Sequence, residues 1–501
     1  MNFFNNGGGL RALPRLLLVA TLALPIVACD TDEIVATVNP EELRPEDLTG
    51  LAAVPALVNG ALRQFSGGYS GFGGDAFLSA SAVISDEFYY GDTFTTRQAA
   101  DKREMQPAIL GNISDAAYTF LHQARLNARR AFALVDQFST PQTATADAAS
   151  QAQLRAIEAY TYVTLSEGWC GAVPFSSIPD TGPIDPSAIE FGPPIGTVAM
   201  NEAAVDRFNE GLAKNPNNRL AAVGKGRALL NLGRYAEAAA AVSAVPTTFV
   251  FQIEHSTNTA AQNNPISSLT LNGRYGIANL EGADTPTGLL RPDAPTSGTA
   301  APPVTAPGAE GIAFRGLQDP RVPYQGRPSS GNSCFTGSVR CWLNNNYPDF
   351  DSDVPLASGV EARLIEAEAA YNAGNFTLMM DRLNGLRAIT AQLLGLLYPR
   401  QVQVFPVGLP PTLPPLVDPG TAQGRREMLF RERALWLFNT GHRQGDLRRL
   451  VRNYGLPSNQ VFPSGPNFRG SVFGDDVAYP VPFAEENNPQ FKRESCVLTK
   501  A

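Results

Sequence analysis

Residues 228–238, with the sequence ALLNLGRYAEA, decide the fold of this chain. A run of helix-forming residues ends at Gly233, one residue follows, and the aromatic Tyr235 opens a second helical run. Residues 367–376, AEAAYNAGNF, repeat this arrangement with Gly374 and Phe376. Glycine adopts the left-handed conformation that ends a helix, and the aromatic ring can wedge between the two helices. Each stretch therefore predicts a helix–turn–helix unit of the tetratricopeptide (TPR) kind.

Such helix pairs need neighbours, because a single pair cannot bury its own apolar face. Apolar spacing predicts four of them, at 114–165, at 219–244, at 361–388, and between helices at 47–65 and 77–88. The predicted fold class is mainly α, with TPR-like pairs stacked into a superhelical scaffold at about 47–244 and 358–450.

Two long stretches interrupt this scaffold. Residues 246–357 are rich in Pro, Gly, Ser, Thr and Asn, and residues 399–419 are rich in Pro. Loops of this length are usually functional or disordered. We predict one domain, residues 47–501, with a long irregular loop-rich insertion at about 246–357 that holds the ligand-binding residues.

The N-terminus predicts export and a lipid anchor. Arg11 and Arg15 precede a short apolar run at 16–28, too short to span a membrane but typical of a signal peptide. The run ends in Ile26-Val27-Ala28-Cys29, which resembles a bacterial lipobox. We therefore predict a cleaved signal peptide at 1–28 and a polar tether at 29–46 that begins with lipidated Cys29, an anchor of two or three acyl chains. The alternative is an ordinary signal peptide with a chance cysteine.

The charge balance argues against a nucleic-acid partner. The chain has 39 basic and 47 acidic residues, for a formal charge of −8. Residues 1–28 contain two arginines and no acid, so their removal leaves −10. Proteins that bind nucleic acid carry basic surfaces. The 44% hydrophobic content supports a large buried core.

Four of the five cysteines remain after Cys29 is assigned to the lipid: Cys170, Cys334, Cys341 and Cys496. An even number in an exported protein favours disulfides, and four cysteines allow three pairings. Cys334 and Cys341 are close in sequence and form the natural local loop, which leaves Cys170 with Cys496. The alternative is four buried free thiols.

Five segments follow one another along nearly the whole chain after residue 28. They are 158–175 (EAYTYVTL, then GWCGAVPF from 168), 229–238, 363–387 with Arg363, Asn384 and Arg387, 431–449 (RERALWLFNTGHRQGDLRR), and 479–489 with YPVP at its start. In this order they resemble the SusD/RagB family of nutrient-binding lipoproteins. The sequence departs from the family pattern at Cys170 and in the length of the second Pro-rich stretch.

The resemblance implies a protein that is not an enzyme. It implies a surface-exposed lipoprotein of the outer membrane, held to the bilayer by its acyl anchor, that binds an oligosaccharide or a peptide and delivers it to a TonB-dependent transporter of the SusC type. One alternative is a TPR-like lipoprotein scaffold that organises cell-surface proteins without a small ligand. A surface hydrolase is a further alternative.

The densest charge cluster lies in the fourth segment and consists of Glu432, Arg433, Arg443, Asp446 and Arg448. Carboxylates beside guanidinium groups ionise easily, so neither acid is suited to donate a proton near neutral pH. Arginine pairs with carboxylates through two parallel hydrogen bonds. We predict a structural ion-pair network.

No pattern of residues predicts catalysis. His122, His255 and His442 are widely separated, and neither His-Glu-x-x-His nor Cys-x-x-Cys occurs. The glycine-rich run 67–74 lacks the Gly-Lys-Ser/Thr ending of a phosphate-binding loop. We expect no catalytic residue, no metal and no cofactor.

Glycan-binding proteins place aromatic rings against the apolar faces of sugars, so aromatic residues in loops are the candidate ligand-binding residues. Residues 85–94 supply Tyr89, Tyr90 and Phe94. Residues 340–347 supply Trp342, Asn344, Asn345 and Tyr347, next to the local disulfide. Arg274-Tyr275 is a third candidate segment. For these aromatics the alternative is packing in the core.

Overall fold

The computed structural model describes residues 54–501 except 86, 182–185, 280–311, 329–331, 338, 405, 466, 468 and 470. The predicted signal peptide, Cys29 and the tether lie outside the described residues. None of the helices in the described ranges combines the length and the apolar composition that a membrane-spanning helix needs.

The described residues are mainly helical. In chain order the helices are α1 Val54–Tyr69, α2 Phe77–Ile84, α3 Thr95–Asp101, α4 Asp115–Phe138, α5 Ala144–Gly168, α6 Thr197–Lys214, α7 Arg219–Asn231, α8 Tyr235–Val242, α9 Pro265–Leu271, α10 Gly359–Asn372, α11 Phe376–Arg387, α12 Thr390–Leu397, α13 Ala422–Trp436, α14 Arg443–Arg452 and α15 Ser458–Val461. The prediction of a mainly α fold is confirmed.

Eight of these helices stack in chain order to form the scaffold. The pairs are α1 with α4, α5 with α6, α7 with α8, and α10 with α11, and each pair packs on the next. Helix α8 contacts α10 directly, so the scaffold continues across the insertion. This stacking buries the apolar face that a single pair would leave exposed.

One of the predicted pairings is wrong. Helix α1 packs mainly along α4 and only touches α2, because all eight residues of α2 are buried and it has no polar face to lie at the surface. The predicted pair at 114–165 does pack together, as α4 with α5, and in the stack it joins the second helix of one pair to the first helix of the next. Helix α6 completes that next pair, and no Gly-x-aromatic signal marks it.

The two turns that predicted the fold have the expected conformation. Gly233 and Gly374 have φ angles of 72° and 71°, in the left-handed region that favours glycine. In the second turn the Asn375 side chain accepts a hydrogen bond of 3.1 Å from the Leu378 amide and so caps α11.

The described residues also contain four two-stranded antiparallel sheets, which the sequence did not predict. The strands are β1 Phe88–Tyr90, β2 Val173–Pro174, β3 Pro194–Ile195, β4 Val250–Ile253, β5 Tyr275–Ile277, β6 Tyr324–Gly326, β7 Trp342–Asn344 and β8 Val354–Ser358, paired as β1–β5, β2–β3, β4–β8 and β6–β7. These strands are only two to five residues long, too short for an alternating pattern to be visible in the sequence.

The insertion begins and ends at one sheet. Val250 in β4 pairs with Ser358 in β8, which closes the base of the insertion. The Ser358 side chain then accepts a hydrogen bond from the Glu361 amide and caps α10. The chain therefore returns to the scaffold at the residue that starts the next helix.

The scaffold and the insertion share one core. Phe438, which follows α13, packs against Phe88 of β1 and against Phe314 of the insertion, with ring centroids 6.3 and 4.9 Å apart. All the described residues belong to one compact unit, Thr49–Ala501. A disulfide between Cys170 and Cys496 ties the residues after α5 to the C-terminal segment.

The second Pro-rich stretch lies along α11. The Leu413 amide donates to the Arg387 carbonyl at 2.8 Å, and the Leu416 amide donates to the Asn384 side chain at 2.7 Å. Asn384 and Arg387 are the Asn and Arg of the third shared segment. The Arg387 side chain also donates to the Pro414 carbonyl at 2.7 Å, so both side chains hold this proline-containing segment, which cannot form a helix of its own.

Candidate ligand-binding surface

Tyr89 and Tyr90 lie in strand β1, and both side chains are buried. Tyr90 pairs with Tyr275 in β5, and its hydroxyl oxygen accepts a 2.8 Å hydrogen bond from the Phe94 amide. The Tyr89 hydroxyl donates to the Arg340 carbonyl. Tyr90 therefore holds the loop at Phe94, Tyr89 holds the segment at Arg340, and neither presents a surface to a ligand in this structure.

Trp342, Asn344, Asn345 and Tyr347 are buried as well, each 5% exposed or less. The Trp342 ring packs edge-on against Tyr324 at 5.5 Å. Asn344 donates to the Asn439 side chain at 3.1 Å, and the Tyr347 hydroxyl donates to the Asn439 carbonyl at 3.0 Å. The expectation that these residues form an exposed binding face is not met, because they join the insertion to the end of α13.

Phe94 is the one predicted binding residue that reaches the surface, with 54% of its area exposed. Phe335, inside the local disulfide loop, is 56% exposed. The guanidinium carbon of Arg274 lies 5.6 Å from the Phe94 ring centroid and 4.2 Å from that of Phe335. We call Phe94, Arg274 and Phe335 the aromatic–arginine surface.

Three backbone segments fix the positions of these rings. The Cys334–Cys341 disulfide closes the loop that carries Phe335. The Phe335 amide donates to the Gly273 carbonyl at 2.9 Å, and the Thr336 amide donates to the Gly91 carbonyl at 3.3 Å. A Cβ atom at Gly91 would collide with Cys334, so glycine is needed for this approach. The rings are thus held in place before any ligand arrives.

Buried acids orient the charged groups of this surface. Arg274 pairs with Asp92, which is fully buried, and Arg97, 5.1 Å from the Phe94 ring centroid, pairs with Asp75 at 2.7 Å. Asp101 lies beneath β1 and accepts a 3.0 Å hydrogen bond from the Tyr90 amide. Burial raises the pKa of Asp101 to about 7, although nearby Arg469 acts to lower it.

The predicted ion-pair cluster is buried at α13 and α14. Arg433 donates twice to Asp446, at 2.8 and 2.9 Å, and Arg449 pairs with the same carboxylate at 2.9 Å. Burial alone would raise the pKa of Asp446, but Arg433 and Arg449 hold it below its ordinary value. Asp446 is therefore a charged structural group and not a proton donor.

The other members of the cluster have partners that the sequence did not indicate. Glu432 pairs with Arg321 at 2.6 Å and with Arg387 at 2.7 Å. Arg448 donates to three main-chain carbonyls, those of Ser166, Glu167 and Trp169, at 2.8 to 3.0 Å. Burial lowers the pKa of Arg448 to about 9 and that of Arg443 to about 10. The cluster thus joins α5 and the insertion to helices α13 and α14.

Solved structures share this architecture over nearly the whole chain. A SusD-like carbohydrate binding protein from Bacteroides vulgatus is 14% identical with a TM-score of 0.58, and the match covers 90% of this chain and 99% of that one. The chain has a SusD-like fold. A SusD superfamily protein from Bacteroides thetaiotaomicron is 12% identical, with a TM-score of 0.58 and coverage of 89% and 99%. A laminarin binding SusD-like protein is 16% identical, with a TM-score of 0.55 and the same coverage.

These similarities lie in the fold. No family model matches the sequence, and no curated protein matches it. The resemblance to SusD that the five ordered segments predicted is confirmed, and the SusD-like fold explains why those segments are widely spaced. Four of them lie on or beside scaffold helices, at α5, at α7–α8, at α10–α11 and at α13–α14.

The histidines of this SusD-like chain do not converge. His122 is buried between Tyr118 and Phe175, with ring centroids 4.5 and 5.2 Å away, and burial lowers its pKa well below the ordinary value. His442 lies 3.0 Å from Glu361, and His255 contacts Ser70. Within the described ranges no three His, Cys, Asp or Glu side chains are grouped as metal ligands.

Phe335 is the surface residue that the sequence analysis missed, and Arg274 was named there only as part of a third segment. A usable signal existed for Phe335, because it is an aromatic residue in a short polar loop closed by two cysteines. No sequence signal brings Arg274 to it. The hydrogen bond from Phe335 to Gly273 creates that contact only in the folded chain.

Proposed function

We propose that this protein binds a carbohydrate at the aromatic–arginine surface and does not transform it. The observation that carries the proposal is the pair of exposed phenylalanine rings beside one guanidinium group, with Phe335 in a loop closed by a disulfide. Aromatic faces pack against the C–H faces of sugar rings, and a guanidinium donates several hydrogen bonds to hydroxyl oxygens. Two solved structures with this fold are described as carbohydrate binding and laminarin binding, which supports the proposal.

The further steps rest on the resemblance and on the N-terminus. The protein is anchored in the outer membrane through acylated Cys29, faces the outside of the cell, and passes its ligand to a SusC-like TonB-dependent transporter. The run at 16–28 and the lipobox-like end at Cys29 support the anchor. Co-purification of a β-barrel transporter with the full-length chain, together with acylation of Cys29 seen by mass spectrometry, tests this part.

Calorimetric titration with soluble polysaccharides, laminarin among them, tests carbohydrate binding. Phe94→Ala and Phe335→Ala should each weaken binding about tenfold or more, which corresponds to ~1.4 kcal/mol. Phe191→Ala is the matched control, because Phe191 is 44% exposed and lies in a different loop. Equal losses in all three variants, or no loss at Phe94 and Phe335, would contradict the proposal.

The stacked helix pairs support a second candidate function, a TPR-like scaffold that organises surface proteins. Superhelical repeats present extended surfaces to protein partners. The two functions differ in one measurement. A scaffold would retain protein partners and bind no polysaccharide in the titration, whereas a binding protein would lose its ligand in the Phe94 and Phe335 variants.

A further inference from the structure

A groove of about 790 Å³ lies between helix α1 and strand β4, and the proposed carbohydrate site does not use it. Helix α1 lines it with Asn59, Leu62, Arg63 and Ser66, which recur at the spacing of one helix face. On the opposite side, every residue from Val250 through Glu254 lines it. Because side chains of a strand alternate between two faces, five consecutive lining residues indicate that the groove runs along the strand.

Strand β4 has one edge without a strand partner. It pairs with β8 in a two-stranded sheet, and no other strand of the described residues pairs with it. An edge strand presents a row of N–H and C=O groups that can pair with another extended chain. The groove therefore has a helix face as one wall and, as the other, a strand whose second edge has no strand partner.

The end of the groove is acidic. Beyond His255 it continues into a depression of about 390 Å³ lined by Glu254, Asp351, Asp353 and Arg400. Arg400 pairs with Asp351 at 2.8 Å, and Asp353 accepts a 2.9 Å hydrogen bond from the His255 amide. Glu254 is exposed and belongs to none of the ion pairs formed among the described residues. Three carboxylates thus face Arg400 and, on the α1 wall near His255, Arg63, so acidic groups remain in excess.

His255 adds no positive charge to this end at neutral pH. Its two ring nitrogens lie 3.1 Å from the Ser70 hydroxyl and 3.1 Å from the Gln262 carbonyl. Burial lowers the pKa of His255 to about 4, so the ring is neutral there. The excess negative charge suits a lysine or arginine of a bound chain.

We propose that this groove binds an extended peptide by strand addition to β4, with a basic residue of the peptide at the Glu254 end. Main-chain hydrogen bonds to a strand edge supply affinity in this mode, and alternate side chains supply specificity. Half-buried Leu62 and Val250 offer apolar contacts to the peptide side chains that face inward. The site is separate from Phe94, Arg274 and Phe335, so one protein would hold two kinds of ligand.

A labelled probe peptide tests the mode of binding. The probe alternates valine and threonine over about seven residues, enough to exceed the four residues of β4, and ends in two lysines. Two further versions carry N-methyl groups on alternate amides, one version in each register. Strand addition predicts that one register loses binding tenfold or more in fluorescence anisotropy, while the other retains it. Equal binding of both registers, or no binding at ~1 mM probe, would overturn the proposal.

Variants of the exposed groove residues test the location. Asn59→Trp fills the groove from α1, and Glu254→Lys reverses the charge at its end, so each should weaken the probe tenfold or more. Asn217→Trp is the control, because it places the same side chain on an exposed turn outside the groove. Phe335→Ala should leave the probe affinity unchanged. Unchanged affinity in Asn59→Trp, or loss in Phe335→Ala, would place the peptide elsewhere.

Discussion

The helix scaffold and the aromatic–arginine surface use the same kinds of side chain in opposite environments. In helices α13 and α14, which pack against the scaffold, Arg433 and Asp446 are 1% and 2% exposed, and their 2.8 Å pair is buried. At the surface, Arg274 also pairs with a buried aspartate, but its guanidinium lies beside two phenylalanine rings that are more than half exposed. The residue types alone do not distinguish the two regions.

Burial decides what each arginine can do. When a buried ion pair loses one partner, the remaining charge has no compensation in a medium of low polarity. A buried pair therefore affects mainly the stability of the fold. The Arg274 side chain is 25% exposed, so its guanidinium keeps part of its hydration and can also contact a ligand. Each region also has its own disulfide, Cys170–Cys496 in the scaffold and Cys334–Cys341 at the surface. Substitutions in the first region should therefore change mainly stability, and substitutions in the second mainly ligand affinity.

Removing the two disulfides should give the largest contrast in stability. Cys170 and Cys496 are 326 residues apart, and Cys334 and Cys341 are 7 apart. Loop-closure entropy predicts that serine at both positions of the first pair lowers the free energy of unfolding by about 5 kcal/mol, and of the second by about 2 kcal/mol. Denaturant unfolding measures both.

The second double variant should instead lower carbohydrate affinity more than the first, because Phe335 lies inside its loop. Equal affinity in the two double variants would mean that the disulfide does not position the ring.

Asp446→Asn should destabilise the protein by about 3 kcal/mol, because buried Arg433 and Arg449 then share only Glu368, at 3.6 and 2.8 Å, as their carboxylate. Thermal or chemical unfolding checks this. Asp418→Asn is the control, since Asp418 pairs with Arg425 at the surface and its removal should leave the unfolding midpoint unchanged. A stable Asp446→Asn protein that no longer binds carbohydrate would mean that this cluster serves ligand binding and not the stability of the fold.

Asp101, which lies beneath strand β1, should make the free energy of unfolding depend on pH. Its pKa is about 7 in the folded protein and ~4 when unfolded, so the folded state holds the proton more tightly. The stability that Asp101 contributes is therefore present below about pH 4 and is lost as the pH rises through about 7. The difference in unfolding free energy between wild type and Asp101→Asn should fall by roughly 1.4 kcal/mol per pH unit between about pH 5 and 6.5.

Unfolding of both proteins across this pH range measures the effect, and comparison with Asp101→Asn removes the contributions of the buried histidines. A difference that does not change with pH would mean that Asp101 stays ionised in the folded protein.

Arg274→Lys should have the smallest effect. Lysine keeps the charge near Asp92 but lacks the planar group that stacks on aromatic rings. We expect a loss of carbohydrate affinity of about three- to tenfold, or ~0.7–1.4 kcal/mol, with little change in the unfolding midpoint. A large loss of stability with unchanged affinity would show that Arg274 supports the fold, as Arg433 does, and does not bind the ligand.

The sequence predicted the scaffold better than the surface. Gly233 and Gly374 require a left-handed backbone whatever surrounds them, so their turns could be inferred from local rules. The pairing of α1 with α4 could not, because α2, the helix that follows α1 in the chain, is completely buried and leaves α1 to pack along α4. Whether Tyr89 and Trp342 are exposed or buried could not be inferred either, because an aromatic residue in a polar segment suits the core and the surface equally.

The sequence by itself determined the mainly helical class, the turns that end the paired helices, and the ordered segments that resemble SusD. These depend on local conformation and on chemistry within a few residues. The tertiary structure alone decided that Phe94 and Phe335 meet at Arg274, that Glu432 pairs with Arg321 and Arg387, and that β4 lines a groove with α1. These contacts join residues far apart in the chain, and only packing of the whole core brings them together.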